Sequence, residues 1–234
     1  MLLLCGLFLR LGVWQWHRAE YKTALLQAFT EQGAAAALSL NSAVRDGSLA
    51  GLPRYRHVQA DGAYDGTRQL LLEEMSHDDV AGYEVLTPFQ LQGGGQLLLV
   101  DRGWIAALDT GRPPTVMVAA APRRIQGMIG ALPVPGLRLG KGAPPPAGWP
   151  KILFYPSRED LLPLYGDRLL APVLLLDKSE PDGYVREFSP VLSFPPARHL
   201  AYAFQWAALA AAVFVVWLVV NLRRRSSDGG SKHG

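Results

Sequence analysis

Twenty-four residues from His199 to Leu222 carry no formal charge and run straight into Arg223, Arg224 and Arg225. A helix needs about 20 apolar residues to cross a bilayer core, so 199–222 is expected to be a transmembrane helix. Positive charge favours the cytoplasm. That makes 223–234 a cytoplasmic basic tail and puts the polypeptide before His199 on the opposite side. His199 then lies at the outer membrane face. Tyr202, Ala203 and Trp206, three, four and seven residues on, share its helical face. The result is an imidazole flanked by aromatic and small side chains at the lip of a span. Two readings fit: an interfacial aromatic belt, or a functional ionisable group at the membrane edge.

The other end is apolar too. Residues 1–16, MLLLCGLFLRLGVWQW, are interrupted only by Arg10 and Gln15, and as a helix they would span roughly 24 Å at about 1.5 Å per residue. The run lacks the basic start and small-residue cleavage site of a signal peptide. An uncleaved first transmembrane helix is expected, its true start lying upstream. No Arg- and Ser-rich transit segment precedes it, which favours a bacterial inner membrane over a mitochondrial one. Both termini are then cytoplasmic. Helix-forming residues continue with Tyr21, Ala24, Leu25, Ala28 and Phe29 at helical spacing, and 17–52 reads as a helical extension stopping near Gly33, followed by a loop.

Between the two ends the pattern changes to short strands punctuated by glycine. Segments 55–64, 68–74, 82–91, 96–106, 123–132, 151–155 and 171–179 read as strands, and 157–166 as a helix capped by Ser157 and Asp160. The turn Gln92-Gly93-Gly94-Gly95 marks a hairpin. Residues 133–150, rich in proline and glycine, read as a loop. The fold expected is α+β: two transmembrane helices framing a mainly antiparallel β-rich periplasmic domain over 53–180, with 181–198 as an extended lead-in to the second span.

The net charge of +3 owes its sign to the membrane-flanking arginines, and no basic stripe interleaved with aromatics suggests nucleic acid. Cys5 is the single cysteine, so no intramolecular disulfide or cysteine zinc site can form. Nucleophile elbows, zinc-protease motifs and phosphate loops are missing. Glu73 and Glu74 point to opposite faces of a strand, and His77-Asp78-Asp79 reads as a polar loop. Asp101-Arg102-Gly103-Trp104 has two readings: a clamp for a planar carboxylate ligand, or a structural strand end.

Four segments together resemble the Surfeit locus protein 1 family, the membrane-anchored assembly factors of cytochrome c oxidase. They are LGVWQWHRAEYKTALL (with Gly12, Trp14, Gln15, Arg18 and Lys22 at the family's spacing), GYEVLTPFQL, LLLVDRGWI and RHLAYAFQW. Asp101 and Ala106 depart from the family's usual Asn and Pro, and Ala197-Arg198 stands where it tends to have Asn. The resemblance implies no enzyme but an assembly factor that binds or presents haem a, as transient cargo, to the catalytic subunit of the oxidase. Partners would be that subunit, the haem a synthesis machinery and membrane lipid. The family's proposed haem ligand maps onto His199, with Tyr202, Trp206, Trp14, Gln15 and Arg18 as further pocket residues and Arg18 or Arg198 facing a propionate. Two alternatives stay open: a structural assembly partner that carries no haem, and a membrane-anchored periplasmic enzyme.

Overall fold

The computed structural model describes residues 1–108, 113–133, 148–190 and 194–228, the last five as backbone only. Most of the loop read over 133–150, the end of the lead-in at 191–193 and the basic tail beyond Arg223 lie outside the described side chains. Two compact units emerge, Ala28–Ser189 and Met1–Gln27 with Pro190–Gly234.

Eight strands build the first unit: β1 (Leu38–Ser39), β2 (His57–Tyr64), β3 (Leu70–His77), β4 (Val80–Leu91), β5 (Leu97–Ala106), β6 (Arg123–Gly130), β7 (Lys151–Leu153) and β8 (Leu169–Leu176). They form one sheet in the order β1-β2-β6-β8-β5-β4-β3-β7, and a further β2–β4 pairing closes β2, β6, β8, β5 and β4 into a five-stranded barrel. Five pairings are antiparallel, while β1–β2, β3–β7 and β5–β8 are parallel. Because strand side chains alternate between faces, each apolar strand serves two cores. Leu98, Val100, Leu174 and Leu176 fill the barrel with Val58, Ala60, Tyr64 and Phe89. Leu97, Leu99 and Val173 face outward under α3 (Arg158–Tyr165), against Leu161 and Tyr165. This explains why β5 opens on three consecutive leucines and a valine.

Closure occurs at Gly62, which is paired with Arg123 of β6 and with Leu91 of β4. A Cβ there would lie 2.1 Å from the Gln90 carbonyl oxygen. Only glycine lets the strands approach this closely. The stretch following Gly33 holds β1, α2 (Leu40–Arg45) and a 3-10 turn (Ser48–Gly51). From α2 the Asn41 side chain donates to the carbonyls of Asp61 and Gln92 and accepts from Asp61 N–H, stapling the closure. His77-Asp78-Asp79 is a two-residue hairpin turn, with Asp78 and Asp79 both at positive φ as a type I′ turn requires.

In the second unit, α1 (Leu2–Ala34) contributes its first 27 residues beside α4 (Pro196–Asp228). Among the described residues one helix, Pro196–Arg223, is long and apolar enough to cross a membrane. Arg10, Gln15, His17 and Arg18 interrupt the corresponding part of α1. The helices are antiparallel: Cys5 reaches Ala210, Phe8 stacks on Trp206, Gln15 meets His199 and Lys22 meets Phe194. On α1 the seam follows 5, 8, 12, 15, 19 and 22, and on α4 it follows 199, 203, 206 and 210. Alternating steps of three and four residues are the spacing of coiled-coil packing. Gly12, Ala19, Ala203 and Ala210 are buried along it, and small residues let helix backbones come together.

Candidate functional site

His199 stands at the head of the seam, in the first turn of a helix begun by Pro196, whose fixed φ suits that position. It is buried, 8% exposed. Its Nδ1 lies 2.6 Å from Gln15 Oε1. An amide oxygen can only accept, so Nδ1 carries the proton and, in the neutral ring, Nε2 carries a lone pair. Nε2 is buried and, among the described residues, has no hydrogen-bond partner. An imidazole whose other nitrogen donates to a fixed acceptor is the usual state of a metal-ligating histidine. Phe194 sets its ring edge-to-face with the imidazole at 6.2 Å, and the guanidinium of Arg198 lies 5.0 Å from that ring's centre.

Of the residues expected around His199, the structure brings Gln15 to it directly and leaves Arg18 close enough for its charge to act on the imidazole. Trp206 lies on the same seam, two turns away, packed on Phe8. Tyr202 and Trp14 are about half exposed. The seam explains the difference: Ala203, and not Tyr202, continues the line from His199, and Trp14 lies one residue off the line through Gln15. A small apolar cleft of about 240 Å³ opens beside Gly12, Trp16, Ala203 and Ala207. Pockets that enclose ligands run to about 300–1,000 Å³, so this cleft seats at most one edge of a planar apolar molecule.

Lys22 was named only for its spacing, yet it is 7% exposed and donates to the Phe194 carbonyl at 2.6 Å. Its burial depends on the residues just before α4 that meet it, information that helix periodicity does not contain. Among the described residues no group of three or more His, Cys, Asp or Glu side chains could hold a metal ion.

In the barrel unit, the segment Asp101-Arg102-Gly103-Trp104 is structural. Arg102 continues the inward line of Leu98 and Val100 and is 1% exposed. Its guanidinium donates to Gln69 Oε1, Thr87 Oγ1 and the carbonyls of Asp182 and Met117, with the rings of Tyr64 and Tyr184 within 6 Å. Four of its five N–H donors are engaged within the unit. Trp104 Nε1 donates to the Met75 carbonyl.

A carboxyl pair does occur, between Glu84 and Asp101 rather than at Glu73 and Glu74, both of which are exposed beside a bulge in β3. Leu86 pairs with Asp101 and Glu84 with Trp104, so Val85 alone faces Arg102 and Gly103 in a β-bulge. The bulge puts Glu84 and Asp101 diagonally on one face. Burial, then the neighbouring Asp101 carboxylate, pushes Glu84 up to about 10; burial pushes Asp101 up to about 6, against the hydrogen bonds it accepts from Glu84 and Gly103 N–H. Glu84 therefore keeps a proton at neutral pH and donates it to Asp101. Both folded values lie above the unfolded ones of 4.5 and 3.8, so below about pH 4 the pair adds no pH dependence. As pH rises the unfolded chain releases protons that the folded chain retains, and stability falls. Glu84→Gln keeps a donor to Asp101 without the proton. Its melting temperature is expected to gain on wild type steadily from pH 5 to pH 8.5; a constant difference over that range would rule out the retained proton.

Residues 2–211 match the sequence model of the SURF1 family. A SURF1-like protein of Dictyostelium discoideum is 33% identical over 103 residues, 42% of this chain and 38% of that protein's length. Surfeit locus protein 1 of Takifugu rubripes is 24% identical over 241 residues, covering 92% of each chain. The matched range takes in the barrel unit and the His199 seam alike.

Proposed function

This chain belongs to the SURF1 family, and on that premise we propose that it is an assembly factor for a haem-copper cytochrome c oxidase that binds or presents haem a for insertion into the catalytic subunit. The observation that carries the reading is the buried lone pair on His199 Nε2, its tautomer set by Gln15. Haem iron takes axial ligands, and a neutral imidazole is a common one. One such ligand suits a cargo that must be released. His199 would hold the iron and Gln15 would orient the ring, while the shallow apolar cleft further along the seam would seat one edge of the macrocycle. In this reading α1 and α4 both span a bacterial inner membrane, the barrel unit is periplasmic, and the protein hands on cargo without turning over a substrate.

The site also favours a second reading. A hydrogen bond between polar side chains is a common way to hold membrane helices together, so Gln15–His199 would serve equally in a structural partner of the oxidase that carries no haem. The deciding experiment is an absorption spectrum and pyridine haemochrome assay of the full chain, purified from cells that make haem a. Haem a is expected in wild type, lost in His199→Ala, and bound about 10–100-fold more weakly in Gln15→Leu, the usual effect of removing a ligand's orienting partner. Haem in neither wild type nor His199→Ala would leave the structural reading.

A further inference from the structure

The ammonium of Lys22 is buried on the helix seam, two turns from Gln15, against the neutral carbonyl and ring of Phe194. It donates one hydrogen bond, to the Phe194 carbonyl at 2.6 Å, and lies 6.0 Å from the centre of the Phe194 ring. Among the described residues no carboxylate pairs with it. Glu20, one of the two acids on α1, already accepts from Trp16 Nε1 at 2.8 Å and contacts His17 Nδ1 at 3.2 Å; α4 has no acid in its first turn. Two of the three ammonium protons are thus without an acceptor among those residues. Buried charges are ordinarily paired, because removing an ion from water without a counterion is costly. An ionisable side chain inside a membrane span is by default a functional-site hypothesis.

A second orphan lies beside it. Phe194 is the common neighbour: its carbonyl holds Lys22, and its ring is packed against His199, whose Nε2 has no partner among the described residues. One segment therefore covers a basic nitrogen with a free lone pair and a cation with free donors. Arg18 and Arg198 are exposed and reach bulk solvent, so they have counterions from water; Lys22 does not. Resting on the reading of His199 as the ligand of a cargo macrocycle, we propose that Lys22 is the anion anchor of the same site, exchanging the Phe194 carbonyl for a carboxylate carried on the cargo's rim. The anchor selects an acidic macrocycle over a neutral one and fixes its orientation. An ammonium–carboxylate hydrogen bond is charge-assisted, roughly twice as strong as a bond to a neutral acceptor. A lipid phosphate offers the same chemistry, and the test separates the two.

The full chain in uncharged detergent is titrated with haem a as the free diacid and as its dimethyl ester, for wild type, Lys22→Met and Lys22→Arg. Wild type is expected to bind the diacid about tenfold more tightly, the equivalent of one charge-assisted bond. Lys22→Met should bind both forms with the affinity wild type has for the ester, and Lys22→Arg should restore the preference. Unchanged ester binding shows that the variant is folded. Equal affinity of wild type for the two forms, or a preference that survives in Lys22→Met, would overturn the assignment. So would loss of the preference on adding phosphatidylglycerol with lipid retained by wild type and not by Lys22→Met, which would give Lys22 to lipid. Failure of wild type to bind either form refutes the haem reading itself, whatever Lys22 does.

Discussion

Arg102→Met is expected to lower the stability of the barrel unit by about 3–5 kcal/mol, because the part-buried carbonyls of Met117 and Asp182 lose their charged donor and a hydrogen bond to a charged group contributes about 1.5–3 kcal/mol. For a unit of this size that corresponds to a fall of about 10 °C in melting temperature. Methionine nearly matches arginine in length, so the packing loss is small and polar satisfaction decides the outcome. Arg102→Lys should rescue little, since an ammonium cannot reproduce a planar fork that serves Gln69, Thr87, Asp182 and Met117 at once. The segments 116–118 and 182–185 meet on this guanidinium and should become protease-sensitive together. Thermal unfolding of the full chain in detergent measures the effect; a methionine variant within about 2 °C of wild type would show those segments to be held by other contacts.

Gly62→Ala is expected to open the barrel, although it adds a single methyl group. The new Cβ would meet the Gln90 carbonyl oxygen at 2.1 Å and Phe89 Cε1 at 2.7 Å. A phenyl ring can turn away, but a backbone carbonyl paired on the neighbouring strand cannot. Overpacking a core ordinarily costs about 1–3 kcal/mol; here relief requires separating β2 from β4, which also strains the Asn41 staple, and about 3 kcal/mol or more is expected. Hydrogen exchange gives the sharpest readout. Amides bonded across the closure, Asp65 to Pro88 and Gln92 to Asp61, should lose protection, while those of β6 and β8 keep theirs. Uniform loss throughout the sheet would mean that the closure has no separate stability.

The strands could be located from sequence because alternation and glycine punctuation are local signals, and each of the seven segments read as strands overlaps an observed one. Partner choice was not legible. The parallel β5–β8 pairing and the β2–β4 closure join residues far apart in the chain, and the glycine that permits closure looks like any other. β1 and α2 are too short for periodicity to show. The helix face bearing His199 was readable from spacing, but a broad face of three, four and seven residues admitted Tyr202 where the narrower seam admits Ala203. Gln15 was reached through its place in a motif. Lys22 and the Glu84–Asp101 pair required a partner helix and a bulge, respectively, before their burial had any meaning.

Barrel closure also governs what the sheet can do to its neighbours. A strand with free backbone groups is a template on which other chains extend. Here the terminal strands of the described sheet are β1, of two residues, and β7, of three. Neither is long enough to nucleate a foreign strand. Opening the seam at Gly62 would expose the flanks of β2 and β4 together, turning a self-contained domain into one that polymerises with its own copies.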